Sequence, residues 1–181
     1  EEIMLFSTSR GLLKYDGSDW NRIAAPSPVL RVYHHGSSDR VFVGLKRGAA
    51  EVVRSDSGQY SIRPLAGISP NMPVLQVLGT DKEVFFIGEN AVYMLSPLTQ
   101  EKVRQIDLAD RYISGAFTYQ QKLHLLVYQE GLFVWDNGEL REMPGHAGMA
   151  EHLVLFNFEA SNGTFIGFDN DALYRFDGDR F

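Results

Sequence analysis

The run Gly131-Leu132-Phe133-Val134-Trp135-Asp136-Asn137-Gly138-Glu139-Leu140 holds a turn residue, an apolar stretch, an Asp-Asn-Gly turn and the start of a second extended stretch. The same order returns at Gly11-Leu12-Leu13-Lys14-Tyr15-Asp16-Gly17-Ser18-Asp19-Trp20, and again from Asp171 through Asp177-Gly178 to Phe181. The residues that open successive copies, Gly11, Gly48, Asn90, Gly131 and Asp171, lie 37, 42, 41 and 40 residues apart. A period near ~40 with four short strands per copy is the pattern of propeller blades. Helical repeats share that length, but no stretch here keeps an i, i+3, i+4 apolar period between turn signals.

Each copy breaks into runs of 4–7 residues bounded by Gly, Ser, Asp or Asn, as strands joined by hairpins require. In the first whole copy strand A is Val29 to Tyr33, B is Arg40 to Leu45, C is Ala49 to Arg54 and D is Tyr60 to Leu65. The second reads Val74 to Leu78, Glu83 to Ile87, Ala91 to Leu95 and Lys102 to Ile106. The third reads Ile113 to Tyr119, Lys122 to Tyr128, Leu132 to Trp135 and Leu140 to Met143. Before them, Ile3 to Phe6, Leu12 to Tyr15 and Trp20 to Ile23 supply B, C and D. After them, His152 to Phe158, Thr164 to Phe168 and Ala172 to Phe176 supply A, B and C.

The expected fold is therefore all-β. It is a β-propeller domain of about five four-stranded blades over residues 1–181, with whole blades at 29–66, 74–107 and 113–144 and partial ones at 1–25 and 152–181. An unclosed ring exposes sheet faces and edges. The segment is accordingly expected to belong to a larger propeller and to self-associate through its terminal blades.

An apolar fraction of 44% and a charged fraction of 22% describe an ordinary globular chain. A net charge of −6, with no basic run longer than Lys46-Arg47, argues against a nucleic-acid or anionic-membrane partner. The absence of cysteine excludes disulfides, thiolate metal sites and a cysteine nucleophile. No apolar run reaches the ~18 residues of a membrane span.

The units Gly11 to Trp20 and Gly131 to Gly138, with the small-residue pairs Val43-Gly44, Ile87-Gly88 and Ile166-Gly167, resemble the two-component regulator propeller repeat. Gly48-Ala49 and Asn90-Ala91 depart from its usual Gly-Leu, and its strand B tryptophan is absent. The resemblance implies a piece of the extracytoplasmic, periplasmic sensor region of a bacterial receptor, whose membrane helix and kinase or cyclase output would lie elsewhere. It implies a non-catalytic ligand-sensing module. A protein-interaction scaffold and a carbohydrate-active enzyme are the alternatives.

The residues offer little chemistry. His34 and His35 are adjacent, so on a strand they face opposite sides and cannot share a metal, and no metal or cofactor is expected. There is no Gly-x-Ser-x-Gly elbow. Asp169, Asp171, Asp177 and Asp179 cluster, but beside Asn and Gly they read as turn residues, as does Asn162 of the Asn162-Gly163-Thr164 sequon. Trp20 and Trp135 read as blade-packing residues rather than a sugar platform. In a propeller the B–C and D–A loops share one face. That face would present Arg10, Lys46, Arg47, Glu89, Asn90, Gln129, Glu130, Asp169 and Asn170 to a polar small molecule, an oligosaccharide or a protein.

Overall fold

A computed structural model describes the chain except residues 1–2, 100–101, 147–148, 150, 161–162 and 179–180. Asn162 of the sequon and Asp179 of the carboxylate cluster thus lie outside the described residues. The strands form five antiparallel sheets in sequence order, shared between two compact units, Glu1–Asp107 and Leu108–Phe181.

The first unit holds three sheets. β1 (Met4–Thr8), β2 (Gly11–Tyr15) and β3 (Trp20–Ile23) form the first. β4 (Val29–His35), β5 (Arg40–Leu45), β6 (Ala49–Arg54) and β7 (Tyr60–Pro64) form the second. β8 (Gln76–Gly79), β9 (Val84–Ile87), β10 (Val92–Leu95) and β11 (Arg104–Ile106) form the third. The second unit holds β12 (Ile113–Tyr119), β13 (Lys122–Val127), β14 (Gly131–Asp136) and β15 (Glu139–Met143), then β16 (Val154–Ala160), β17 (Gly163–Phe168) and β18 (Leu173–Phe176). Every strand pairs with its sequence neighbour. The A–B and C–D turns therefore lie at one end of each sheet, and the B–C turns at the other.

Alternation sorts each strand's side chains onto two faces. In the second sheet Val32, Val43, Ala50 and Ile62 turn toward Leu12 and Ile23 of the first sheet, while Phe42 and Tyr33 turn toward Val74, Val77 and Phe86 of the third. Phe42 meets Phe86 edge to face at 5.9 Å, a favoured aromatic geometry. The second unit repeats the scheme, with Phe117, Leu126 and Leu132 packed on Ile166, Phe168 and Phe176.

The small residues near these contacts have a steric purpose. A Cβ on Gly44 would run into Val74 and Val77, and one on Gly115 into Val154, so glycine there lets strand A of the following sheet approach closely. A register shift near the start of β4, β12 and β16 recurs at the same point, between Val29 and Arg31, Ile113 and Gly115, and Val154 and Phe156. It leaves Leu30, Ser114 and Leu155 as the extra residue of a bulge.

Some strand edges differ from those expected. The third sheet begins at Gln76 rather than Val74, because Val74 N–H donates to the Leu45 carbonyl of the sheet before it at 2.9 Å. Gly48 N–H likewise donates to the Met72 carbonyl at 2.8 Å, so the connecting chain is stitched across the B–C end of the second sheet. Trp20 is exposed, stacked on Tyr15 at 4.8 Å and beside Phe6 at 5.5 Å within its own sheet.

Candidate functional site

The B–C ends of three sheets, those of β4–β7, β12–β15 and β16–β18, share a backbone device. The first residue past strand B donates its N–H to the carbonyl of the residue leading into strand A: Lys46 to Pro28 at 2.8 Å, Tyr128 to Tyr112 at 2.8 Å, and Asp169 to Leu153 at 3.1 Å. This rung pins one equivalent position per sheet and leaves its side chain to vary as Lys46, Tyr128 or Asp169. All nine residues expected on this side, from Arg10 to Asn170, are exposed.

In the first unit these residues stay dispersed. The Arg10 carbonyl accepts from Arg22 Nη2 at 2.7 Å and Nε at 3.0 Å, and Arg47 N–H donates to Ser27 Oγ at 3.2 Å. Glu89 and Asn90 line a shallow hollow of about 290 Å³ with Ser69, Asn71 and Met72.

In the second unit the groups converge more tightly. His152 sits between two of the expected residues, its Nδ1 3.1 Å from Asp169 Oδ1 and its Nε2 3.1 Å from Asn170 Nδ2. Asn170 Oδ1 also accepts from Ala172 N–H, which fixes the turn. Arg111 Nε donates to Glu130 Oε2 at 2.8 Å, and its guanidinium lies 4.9 Å from the Phe133 ring centre. Tyr112 and Tyr128, 42% and 43% exposed, meet edge to face at 6.2 Å. Gln129 holds the turn at φ 60°.

Tyr112, Tyr128, Arg111 and His152 were not among the expected site residues. The signal for Arg111, Tyr112 and His152 was a charged or aromatic residue just before strand A, and for Tyr128 an aromatic one just past strand B. The arrangement offers apolar ring faces beside donors and acceptors, which suits binding. Asp169 Oδ1 lies 3.1 Å from His152 Nδ1, and the Asp177 backbone carbonyl accepts from Tyr119 Oη at 2.7 Å. Among the described residues no group of three or more His, Asp or Glu could hold a metal ion, and no helix is long and apolar enough to cross a membrane.

Against solved structures, the chain superposes on the extracellular domain of BT4673 from B. thetaiotaomicron, described as a one-component or hybrid two-component system. The TM-score is 0.73 at 14% identity, covering 94% of this chain and 25% of that one. The fold is a partial β-propeller. The N-terminal domain of Nup159 matches with a TM-score of 0.58 at 17% identity, over 92% of this chain and 49% of that one. Virginiamycin B lyase from Staphylococcus aureus matches with 0.52 at 12%, over 97% and 59%. The chain thus spans about a quarter of the length of the BT4673 domain. No family model matches the sequence, and no curated protein matches it. Three neighbours with such different descriptions share architecture, which does not carry an activity.

Proposed function

We propose that the chain is part of the extracytoplasmic sensor region of a bacterial signal-transduction receptor, where it binds a soluble polar ligand and performs no chemistry on it. The observation that carries this reading is the exposed Tyr112–Tyr128 pair with Arg111–Glu130 at the loop end of one sheet of the second unit, and the His152–Asp169–Asn170 group at the same end of the next. Rings with flanking hydrogen-bonding groups favour an oligosaccharide or similar ligand that presents both apolar and hydroxyl faces. Support for the setting comes from the BT4673 domain, whose description is extracellular and signalling.

The test is a thermal-shift screen of soluble oligosaccharides and other polar small molecules, followed by calorimetric titration of hits. A ligand should raise the melting temperature and bind at least ~10-fold more weakly when Tyr128→Ala and Asp169→Ala are combined. Undiminished binding by that variant moves the site elsewhere, and turnover of a bound compound overturns the non-catalytic reading. On the same reading the outward apolar faces of the terminal sheets drive self-association of the isolated chain. Sedimentation velocity should then show mass rising with concentration, and a monomer throughout refutes it.

A further inference from the structure

We propose that a cleft between the second and third sheets of the first unit binds a small organic anion, its carboxylate held by Arg63 and Lys102. The open cleft measures about 1070 Å³, at the upper end of the scale of ligand sites. It opens at the A–B and C–D end, lined by Ser38 on one side and by Pro97 and Leu98 on the other. It is therefore separate from the loop-end residues on which the functional reading rests.

At its base is Glu51, with its side chain only 8% exposed. Oε1 accepts from Arg40 Nε and Oε2 from Arg63 Nη2, both at 2.7 Å. Burial alone would raise this carboxyl, but the two guanidiniums outweigh it and hold the group below its ordinary value. Arg40 is tied to both walls, because its Nη1 also donates to the Pro97 carbonyl at 2.9 Å and its guanidinium packs 5.1 Å from the Phe42 ring centre. That contact ties the two sheets together.

Arg63 differs. Its side chain is 65% exposed and its one hydrogen bond among the described residues goes to Glu51 on the neighbouring strand of its own sheet, so it does nothing to join the walls. A guanidinium has five N–H donors, and most of this one's still point into the cleft mouth or solvent. Lys102, exposed on the facing side, has no ion pair among the described residues. Among the described lining residues three cations stand against one carboxylate, a balance of +2 within a chain of −6. A pin between sheets needs only Arg40 and Glu51; the surplus charge is what an anion would use. Leu65, Pro97, Leu98 and Val103 supply an apolar wall, so the anion should carry an apolar body. A carboxylate is suited to the free edge of Arg63, where paired N–H···O bonds form readily.

The experiment is calorimetric titration of the whole chain with isophthalate, glutarate and citrate, using isophthalamide as the uncharged control and sulfate as an anion without an apolar body. At least one carboxylate should bind saturably and isophthalamide should not. Arg63→Met and Lys102→Met should each weaken binding about 10-fold, while Arg31→Met, an exposed cation outside the cleft, should leave it unchanged. Glu51→Gln, provided circular dichroism shows it folded, should tighten binding by removing the competing carboxylate from Arg63. Failure of all three carboxylates, or equal binding by Arg63→Met, overturns the proposal; sulfate binding as tightly as the organic anions overturns its apolar half.

Discussion

Phe117 and Phe158 occupy the same place in consecutive sheets of the second unit. Each lies three residues past the bulged residue on strand A, and they pair with His124 and Phe165 of strand B. Phe117 is wholly buried, edge to face with Phe176 at 5.2 Å. Phe158 is 48% exposed and covered by one partner from its own sheet, Phe165, stacked at 5.2 Å. Residue type, register and local conformation agree; what differs is whether another sheet lies over the face. Phe6 and Trp20 on the first sheet repeat the exposed case. Hairpin register is thus written into each repeat, whereas burial of its faces comes from stacking, as in repeat proteins whose stability is a sum of unit and interface terms.

Truncation of the two phenylalanines should break the symmetry. Phe117→Ala is expected to cost about 3–5 kcal/mol, through lost burial and the cavity left against Phe176 and Leu126. Phe158→Ala should cost less than about 1 kcal/mol, since much of its ring is already in water. Urea unfolding followed by fluorescence measures both. Equal costs would mean that the outer face is covered in solution, and a dilution series would then show whether a second copy covers it.

The covered face also holds a titrating group. His124 stacks on Phe117 at 5.0 Å and 8° and is ringed by Tyr119 and Phe176. Burial lowers its pKa to about 4, against the raising effect of the Lys122 carbonyl to which Nδ1–H donates at 3.2 Å. The folded value lies below the unfolded one, so the native state is at full strength above about pH 6.5. As pH falls from there toward 4 the unfolded chain takes up a proton that the folded chain refuses. Stability should drop by about 3 kcal/mol across that window and then level off for this group. Unfolding midpoints measured from pH 7.5 to 4 should show the slope, and His124→Phe should remove most of it. A variant with the wild-type slope would assign the pH dependence elsewhere.

Turn residues made the strands legible. Gly48, Asp136-Asn137-Gly138 and Asp177-Gly178 interrupt apolar runs too short for helices, and strand limits follow within one or two residues. The bulge at Leu30, Ser114 and Leu155 was not legible, because nothing in those three side chains marks an unpaired residue. The Arg40–Glu51–Arg63 cluster could have been found. The hairpin closed by Ser55 to Gln59 sets Glu51 opposite Arg63, a register that turn length fixes. That Glu51 is buried could not be read, since it depends on the third sheet supplying the Pro97 carbonyl to Arg40. Likewise Glu130, Asp169 and Asn170 were readable as turn residues, while their partners Arg111 and His152 enter from D–A loops 19, 17 and 18 residues away.

The smallest effect tests the local half of the comparison. Two hairpins of the sheet β12–β15 close with two-residue turns that place both central residues at positive φ: Gln120 and Gln121 at 47° and 61°, Asn137 and Gly138 at 52° and 87°. Asn-Gly suits that geometry, whereas two glutamines carry a Cβ into a region where it crowds the following carbonyl. Gln120→Asn with Gln121→Gly should therefore stabilise by about 1 kcal/mol, and Asn137→Gln with Gly138→Gln should destabilise by a similar amount. Both are read as shifts of urea midpoint at constant slope. If the first exchange yields no gain, the contact from Gln120 Nε2 to Tyr119 Oη at 3.3 Å offsets the backbone cost, and Gln120→Ala should then destabilise beyond what the turn alone requires. If both exchanges are neutral, the hairpins take their register from cross-strand packing and the turns merely follow, which would remove the claim that each repeat encodes its own sheet.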